Sequence, residues 1–155
     1  MAEEQNSIPL LIRHELAIKQ LYELFATVFP EHRDFWVQLM EEEQKHADCL
    51  QGLSSKESLK TWCLNDSKFK HLAIHGSIEY LERQIERAKK ANIALLEALS
   101  IASDLEEALI EKQMISLNIS GPDEIRNVMK GLVADTQRHR KMIAEKLNVH
   151  RRESR

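Results

Sequence analysis

Glutamate and histidine residues interrupt four apolar stripes of helical spacing in this 155-residue sequence. Glu15 falls in the first stripe, Glu43 and His46 in the second, Glu106 in the third and His139 in the fourth. A lone carboxylate is costly to bury unless it is paired or bound to a metal ion. Carboxylates and imidazoles are suitable ligands for iron or manganese, and Glu-x-x-His places both groups on one face of a helix. The pattern therefore predicts a metal site with ligands from four helices.

The spacing of these residues repeats between the two halves of the chain. Glu15 precedes Glu43 by 28 residues, and a histidine follows three residues later. Glu106 precedes Thr136 by 30 residues, and a histidine again follows three residues later. Carboxylate bundles that hold two metal ions take one Glu from each of two helices and Glu-x-x-His from each of the others. Two matching helical hairpins around a shared site are the arrangement that this repeat predicts.

The elements that must position the ligands are amphipathic helices. Apolar residues at helical spacing predict helices at about residues 7–29, from 31 to 50 or 53, 91–117 and 122–147. Pro30 ends the first helix, and so short a turn makes the first two helices antiparallel neighbours.

Residues 54–91 form a long connector in this interpretation. It is expected to contain two shorter helices separated near Gly76, with an N-cap in Asn65-Asp66-Ser67 and a charged, solvated covering helix at residues 77–87. A connector of about 40 residues matches the long crossover of ferritin-like bundles. The predicted fold is an all-α, ferritin-like four-helix bundle with a helical crossover between helices 2 and 3. It forms a single domain over residues 1–155, frayed at about 1–6 and 149–155.

Composition fits this fold and limits the partners. Four Gly and three Pro leave little material for the turns of an all-β fold, and the net charge of −3 gives no general attraction for nucleic acid. The basic stretch at residues 138–155 is read as a solvated helix end, with a membrane-surface or nucleic-acid contact as the alternative. No apolar run approaches the roughly 20 residues of a membrane span, and a signal peptide is lacking. Cys49 and Cys63 form no C-x-x-C pair, so a cytoplasmic protein with free thiols, without nucleic-acid or membrane partners, is expected.

The first hairpin resembles the rubrerythrin-like branch of the ferritin-like di-iron superfamily. The resemblance lies in Glu15 with Tyr22 seven residues on, followed by Glu41-Glu-Glu-Gln-Lys-His-Ala47, and it extends over about residues 10–147. It implies that Tyr22 is a core tyrosine supporting the ligands, although an ordinary core aromatic is the alternative. It also implies two iron ions, one held by Glu15, Glu43 and His46 and the other by Glu106 and His139.

The second half departs from the family pattern. Thr136 stands where a bridging Glu is expected three residues before His139, and Ser103 stands where a further carboxylate often occurs. Asp135 is adjacent, but its direction on the helix differs by about 100°. His139 as an ordinary buried histidine paired with Asp135 is the alternative to its role as a ligand. The iron–sulfur module of full-length rubrerythrins is absent, because paired cysteines are absent.

The resemblance and the departures from it leave two functions open. The first is a di-iron oxidoreductase, with manganese or zinc as other metals, that acts on peroxide or dioxygen and takes electrons from an external donor. The second is a degenerate, non-enzymatic bundle that binds one structural ion or none and serves as a dimeric interaction protein. A homodimer is expected in either case. The remaining histidines are interpreted as surface or connector residues: His14, His32, His71, His75 and His150.

Overall fold

The computed structural model describes residues 8–54, 68–117 and 123–153, and every regular element in these ranges is a helix. This confirms the all-α class for the described residues. The elements are α1 (Ile8–Val28), a 3-10 turn (Pro30–His32), α2 (Arg33–Ser54), α3 (Lys68–Lys89), α4 (Leu95–Leu117) and α5 (Asp123–Glu153). None of the helices in these ranges is both long and apolar enough to cross a lipid bilayer.

The chain divides into two compact units, Met1–Asn92 and Ile93–Arg155. In the first unit, α1 packs against both α2 and α3. The 3-10 turn joins α1 to α2 so closely that the two helices run antiparallel. In the second unit, α4 packs against α5. The four-helix bundle and the single domain stay predictions.

The core of the first unit forms because each helix buries one apolar stripe. Buried leucine, isoleucine and aromatic side chains recur three or four residues apart on all three helices. Trp36 is fully buried, with ring centroids 5.5 Å from Tyr22 and 4.8 Å from Phe25. Trp36 is therefore a packing residue of this core.

The connector differs from its prediction. Within the described part of the connector, a single helix, α3, continues through Gly76, where a separation between two helices was predicted. The reason is the unbroken stripe of Ile74, Ile78, Leu81 and Ile85, all buried, which stabilises the helix across the glycine. Exposed charged residues on the other face agree with the predicted covering helix. The predicted N-cap at residues 65–67 lies outside the described residues.

The helices of the second unit also begin and end elsewhere than predicted. Ala91 adopts a left-handed conformation with φ of 52°, which a helix cannot continue through, and α3 ends just before it. α4 therefore begins after this turn, at Leu95, rather than near residue 91 as predicted. α5 continues to Glu153 rather than ending near residue 147. Basic residues in the last turn complement the helix dipole and stabilise this extension. The predicted frayed residues 1–6 lie outside the described residues.

Candidate metal centre

Three of the predicted ligands meet in the first unit. Glu15 lies between Leu11 and Ile18 on the buried face of α1, and Glu43 and His46 occupy the buried face of α2. The three side chains are 2%, 0% and 2% exposed, respectively. Their burial follows from the apolar stripes in which they lie, because helical periodicity points every side chain of a stripe toward the core.

The donor atoms of these three side chains converge. His46 Nδ1 lies 3.4 Å from Glu43 Oε2 and 3.8 Å from Glu15 Oε2. One donor atom from each residue lies within 4.8 Å of the other two. These separations are longer than good hydrogen bonds. A metal ion with ligand bonds of about 2.1 Å holds its donor atoms about 3–4 Å apart. The cluster therefore has the donor types and the spacing to hold a metal ion.

Electrostatics in this cluster favour bound protons when no ion is present. Burial raises the pKa of Glu15 to about 8, and the neighbouring Glu43 carboxylate adds to this effect. Burial lowers the pKa of His46, but interactions with Glu15 and Glu43 outweigh it and raise that pKa to about 11. At neutral pH the metal-free site therefore holds protons at Glu15 and His46. Among the described residues, Glu15 Oε2 has no hydrogen-bond partner.

The other two predicted ligands meet in the second unit. Glu106 on α4 and His139 on α5 are fully buried, and His139 Nδ1 lies 3.7 Å from Glu106 Oε2. Thr136 is also fully buried, and its hydroxyl donates a hydrogen bond of 2.7 Å to the Leu132 carbonyl. A threonine can satisfy its hydroxyl in this way within its own helix. Thr136 therefore occupies the predicted position of a carboxylate without supplying a charge.

Asp135 does not take the place of that carboxylate in the core. Its side chain is 47% exposed, and Oδ1 lies 3.6 Å from Arg138 on the surface of α5. Ser103 is half-buried on α4. The carboxylates that the structure buries among the described residues are thus Glu15, Glu43 and Glu106.

One histidine was placed wrongly by the sequence. His14, expected at the surface or in the connector, is 1% exposed, and its Nε2 lies 2.8 Å from Ser77 Oγ on α3. It was missed because α3 covers a second face of α1, and the periodicity of α1 alone does not show which helix lies there. His75 is exposed as expected, whereas His32 and His150 are half-buried. The side chain of His71 lies outside the described residues.

Tyr22 is fully buried in an aromatic group, with its ring centroid 6.5 Å from that of Phe25 and 5.5 Å from that of Trp36. This is the environment of a core aromatic residue. A supporting role for Tyr22 at the ligands stays a prediction.

The chain matches no protein-family model, no curated protein and no solved structure. The resemblance to rubrerythrin-like proteins therefore stays a prediction that rests on the residues of the sequence. The fold and the site together define a broader class than that family. In its described residues this is an all-helical protein with buried carboxylate–histidine clusters that could hold a metal ion.

Proposed function

We propose that this protein binds a divalent transition-metal ion through Glu15, Glu43 and His46. The observation that carries the proposal is the convergence of three almost fully buried ionisable side chains, from two helices, within 4.8 Å of one another. Burial of such groups is unfavourable unless their charges are compensated. A divalent ion at their centre would compensate both carboxylates and give the imidazole nitrogen a bond.

The donor set favours metals that accept oxygen and nitrogen ligands. Two carboxylates and one imidazole suit ferrous iron, manganese or zinc better than a soft ion that prefers sulfur. Because all three ligands lie in the first compact unit, the first ion does not require the residues of α4 and α5. Glu106 and His139 form a second buried pair of the same chemistry, which supports the proposal of further metal binding.

The wider proposal follows the rubrerythrin-like resemblance. It is a ferritin-like di-iron bundle, expected as a homodimer, that acts on peroxide or dioxygen with electrons from an external donor. The burial of all five predicted ligands supports it: Glu15, Glu43, His46, Glu106 and His139. Iron would supply the redox chemistry, while these side chains would bind it, balance its charge and exclude water from it.

Thr136 favours a second candidate, a non-enzymatic protein with one structural ion. Its hydroxyl is already satisfied by the Leu132 carbonyl, and it brings no negative charge to the core. Within the first unit, Glu15 and Glu43 supply two negative charges, which compensate one divalent ion but not iron that becomes ferric. The number of ions bound per chain separates the two candidates.

The test is metal reconstitution of the full chain. The protein is stripped with a chelator, loaded anaerobically with ferrous iron, and its metal content and absorption spectrum are measured. Two irons per chain with near-ultraviolet absorption after oxidation, together with peroxide consumption, would support the oxidoreductase. One ion would support the structural site.

Variants connect the bound ion to the residues. His46→Gln should abolish the tight ion, whereas Glu107→Gln, which changes an exposed carboxylate beside the buried Glu106, should keep it. The absence of any bound ion in the unaltered protein, with iron, zinc and cobalt all tested, would refute the proposed function.

A further inference from the structure

His14, the residue before the proposed ligand Glu15, is buried where α1 packs against α3. Its Nε2 atom lies 2.8 Å from Ser77 Oγ, and the two residues are 63 positions apart in the sequence. A buried imidazole is unfavourable without hydrogen bonds. The contact with Ser77 therefore favours one particular rotation of α1 about its axis, relative to α3.

The rotation of α1 about its axis links this contact to the metal site. Adjacent residues of an α-helix point about 100° apart, so one rotation sets the directions of both His14 and Glu15. In the observed rotation, His14 meets Ser77 on α3 while Glu15 Oε2 lies 3.8 Å from His46 Nδ1 on α2. Apolar contacts are non-directional and tolerate small rotations, whereas a hydrogen bond has a narrow geometry.

We infer that His14 and Ser77 form a positioning pair that holds α1 in the rotation at which Glu15 binds the metal ion. The inference rests on the proposed function, because Glu15 must be a ligand. The pair acts through the helix rather than by contact with the ion. Loss of the Ser77 hydroxyl would let α1 rotate and move the Glu15 carboxylate away from Glu43 and His46.

The neighbouring residue Arg13 provides a matched control. Arg13 Nη2 lies 3.1 Å from Glu82 Oε1, so this pair also joins α1 to α3. Its side chains are 58% and 57% exposed, and ion pairs in such exposed places contribute little. Removing the charge of Glu82 therefore changes the same helix pair without affecting the rotation of α1.

The experiment is a titration of the metal-free, full-length protein with Co²⁺, whose visible absorption bands depend on the geometry of its ligands. The variants are Ser77→Ala, Ser77→Thr, Glu82→Gln and Ile85→Val. Ile85 is buried on α3, so its truncation weakens packing on that helix without removing a polar group.

The expected results separate positioning from general stability. Ser77→Ala should weaken Co²⁺ binding by about tenfold, the low end for groups that support metal ligands without touching the metal, and it should shift the visible bands. Ser77→Thr keeps the hydroxyl, so it should bind Co²⁺ with the affinity and the visible spectrum of the unaltered protein. Glu82→Gln and Ile85→Val should bind Co²⁺ as the unaltered protein does.

Two results would overturn the positioning role while leaving the metal site intact. One is a Ser77→Ala variant with the affinity and spectrum of the unaltered protein. The other is an equal loss of affinity in Ser77→Ala and Ile85→Val, because affinity would then follow the general stability of α3. Failure of the unaltered protein to bind Co²⁺ would instead overturn the proposed function, and this inference with it.

Discussion

Replacing Glu15 with glutamine tests the electrostatics of the site before any metal is added. Burial, with a smaller contribution from Glu43, raises the pKa of this carboxyl from 4.5 to about 8. Between these two pH values the folded protein therefore holds one proton more at Glu15 than the unfolded chain does. Stability must then fall as the pH rises, by about 1.4 kcal/mol per pH unit for each extra proton. The destabilisation is absent below pH 4.5 and complete above about pH 8.

Glutamine has nearly the shape of a protonated glutamate and does not ionise, so the Glu15→Gln variant lacks this dependence on pH. The free energy of unfolding of the variant, minus that of the unaltered protein, should grow by about 3 kcal/mol between about pH 5.5 and 7.5. His46 contributes little to this difference, because Glu43 remains in the variant and raises the pKa of His46 there too, so the His46 proton largely cancels.

The assay is urea unfolding of the chelator-treated proteins, followed by circular dichroism at several pH values. Glu23→Gln is the matched control, because Glu23 lies on the same helix with an exposed side chain. A difference between Glu15→Gln and the unaltered protein that stays constant with pH would refute the argument that burial holds a proton on Glu15. The same conclusion would follow if Glu23→Gln showed an equal change.

Three further predictions concern the ion itself. His46→Gln should weaken Zn²⁺ or Co²⁺ binding by more than the roughly 10–100-fold that follows loss of a supporting group, and an unchanged affinity would remove His46 from the ligands. Binding at pH 7 should release about two protons, one each from Glu15 and His46, because ligands must lose their protons to bind. Calorimetry in buffers of different ionisation enthalpy measures this number, and release of none would contradict the proposed protonation. Thr136→Glu should destabilise the metal-free protein by about 3–5 kcal/mol, as an uncompensated buried charge does, and added metal should restore the stability. A thermal midpoint of Thr136→Glu equal to that of the unaltered protein would contradict the burial of this position.

The sequence predicts the burial of the ligands well, because burial of a helical residue follows from the stripe in which it lies. Glu15 falls between Leu11 and Ile18, and this spacing alone directs its side chain toward the core. The convergence of Glu15 with Glu43 and His46 was predictable for a related reason. A turn as short as that at Pro30 leaves α1 and α2 few arrangements other than an antiparallel pair.

The features that the sequence does not reveal depend on contacts between distant segments. His14 lies beside the apolar stripe of α1, and its burial requires α3, whose position against α1 no local pattern specifies. Gly76 is a plausible break by local propensity, at a cost of about 1 kcal/mol relative to alanine. Packing of Ile74 and Ile78 on either side of it overrides that preference. Contacts between distant segments thus determine both the burial of His14 and the helical conformation at Gly76. Such contacts are not visible in a single sequence.

The instability of the metal-free site and its proposed affinity for metal have one physical source. Burial removes water from Glu15, Glu43 and His46. Bound protons then compensate the negative charge of the carboxylates, which solvent no longer stabilises. The same loss of solvent strengthens the attraction of these groups for an ion, because charges interact more strongly where water is excluded. A divalent ion would replace the protons at Glu15 and His46 and bond all three ligands at once. Glu15→Gln should therefore stabilise the metal-free protein and weaken metal binding together. Stabilisation of the unaltered protein by saturating metal should be largest at high pH, where the protons are most easily lost.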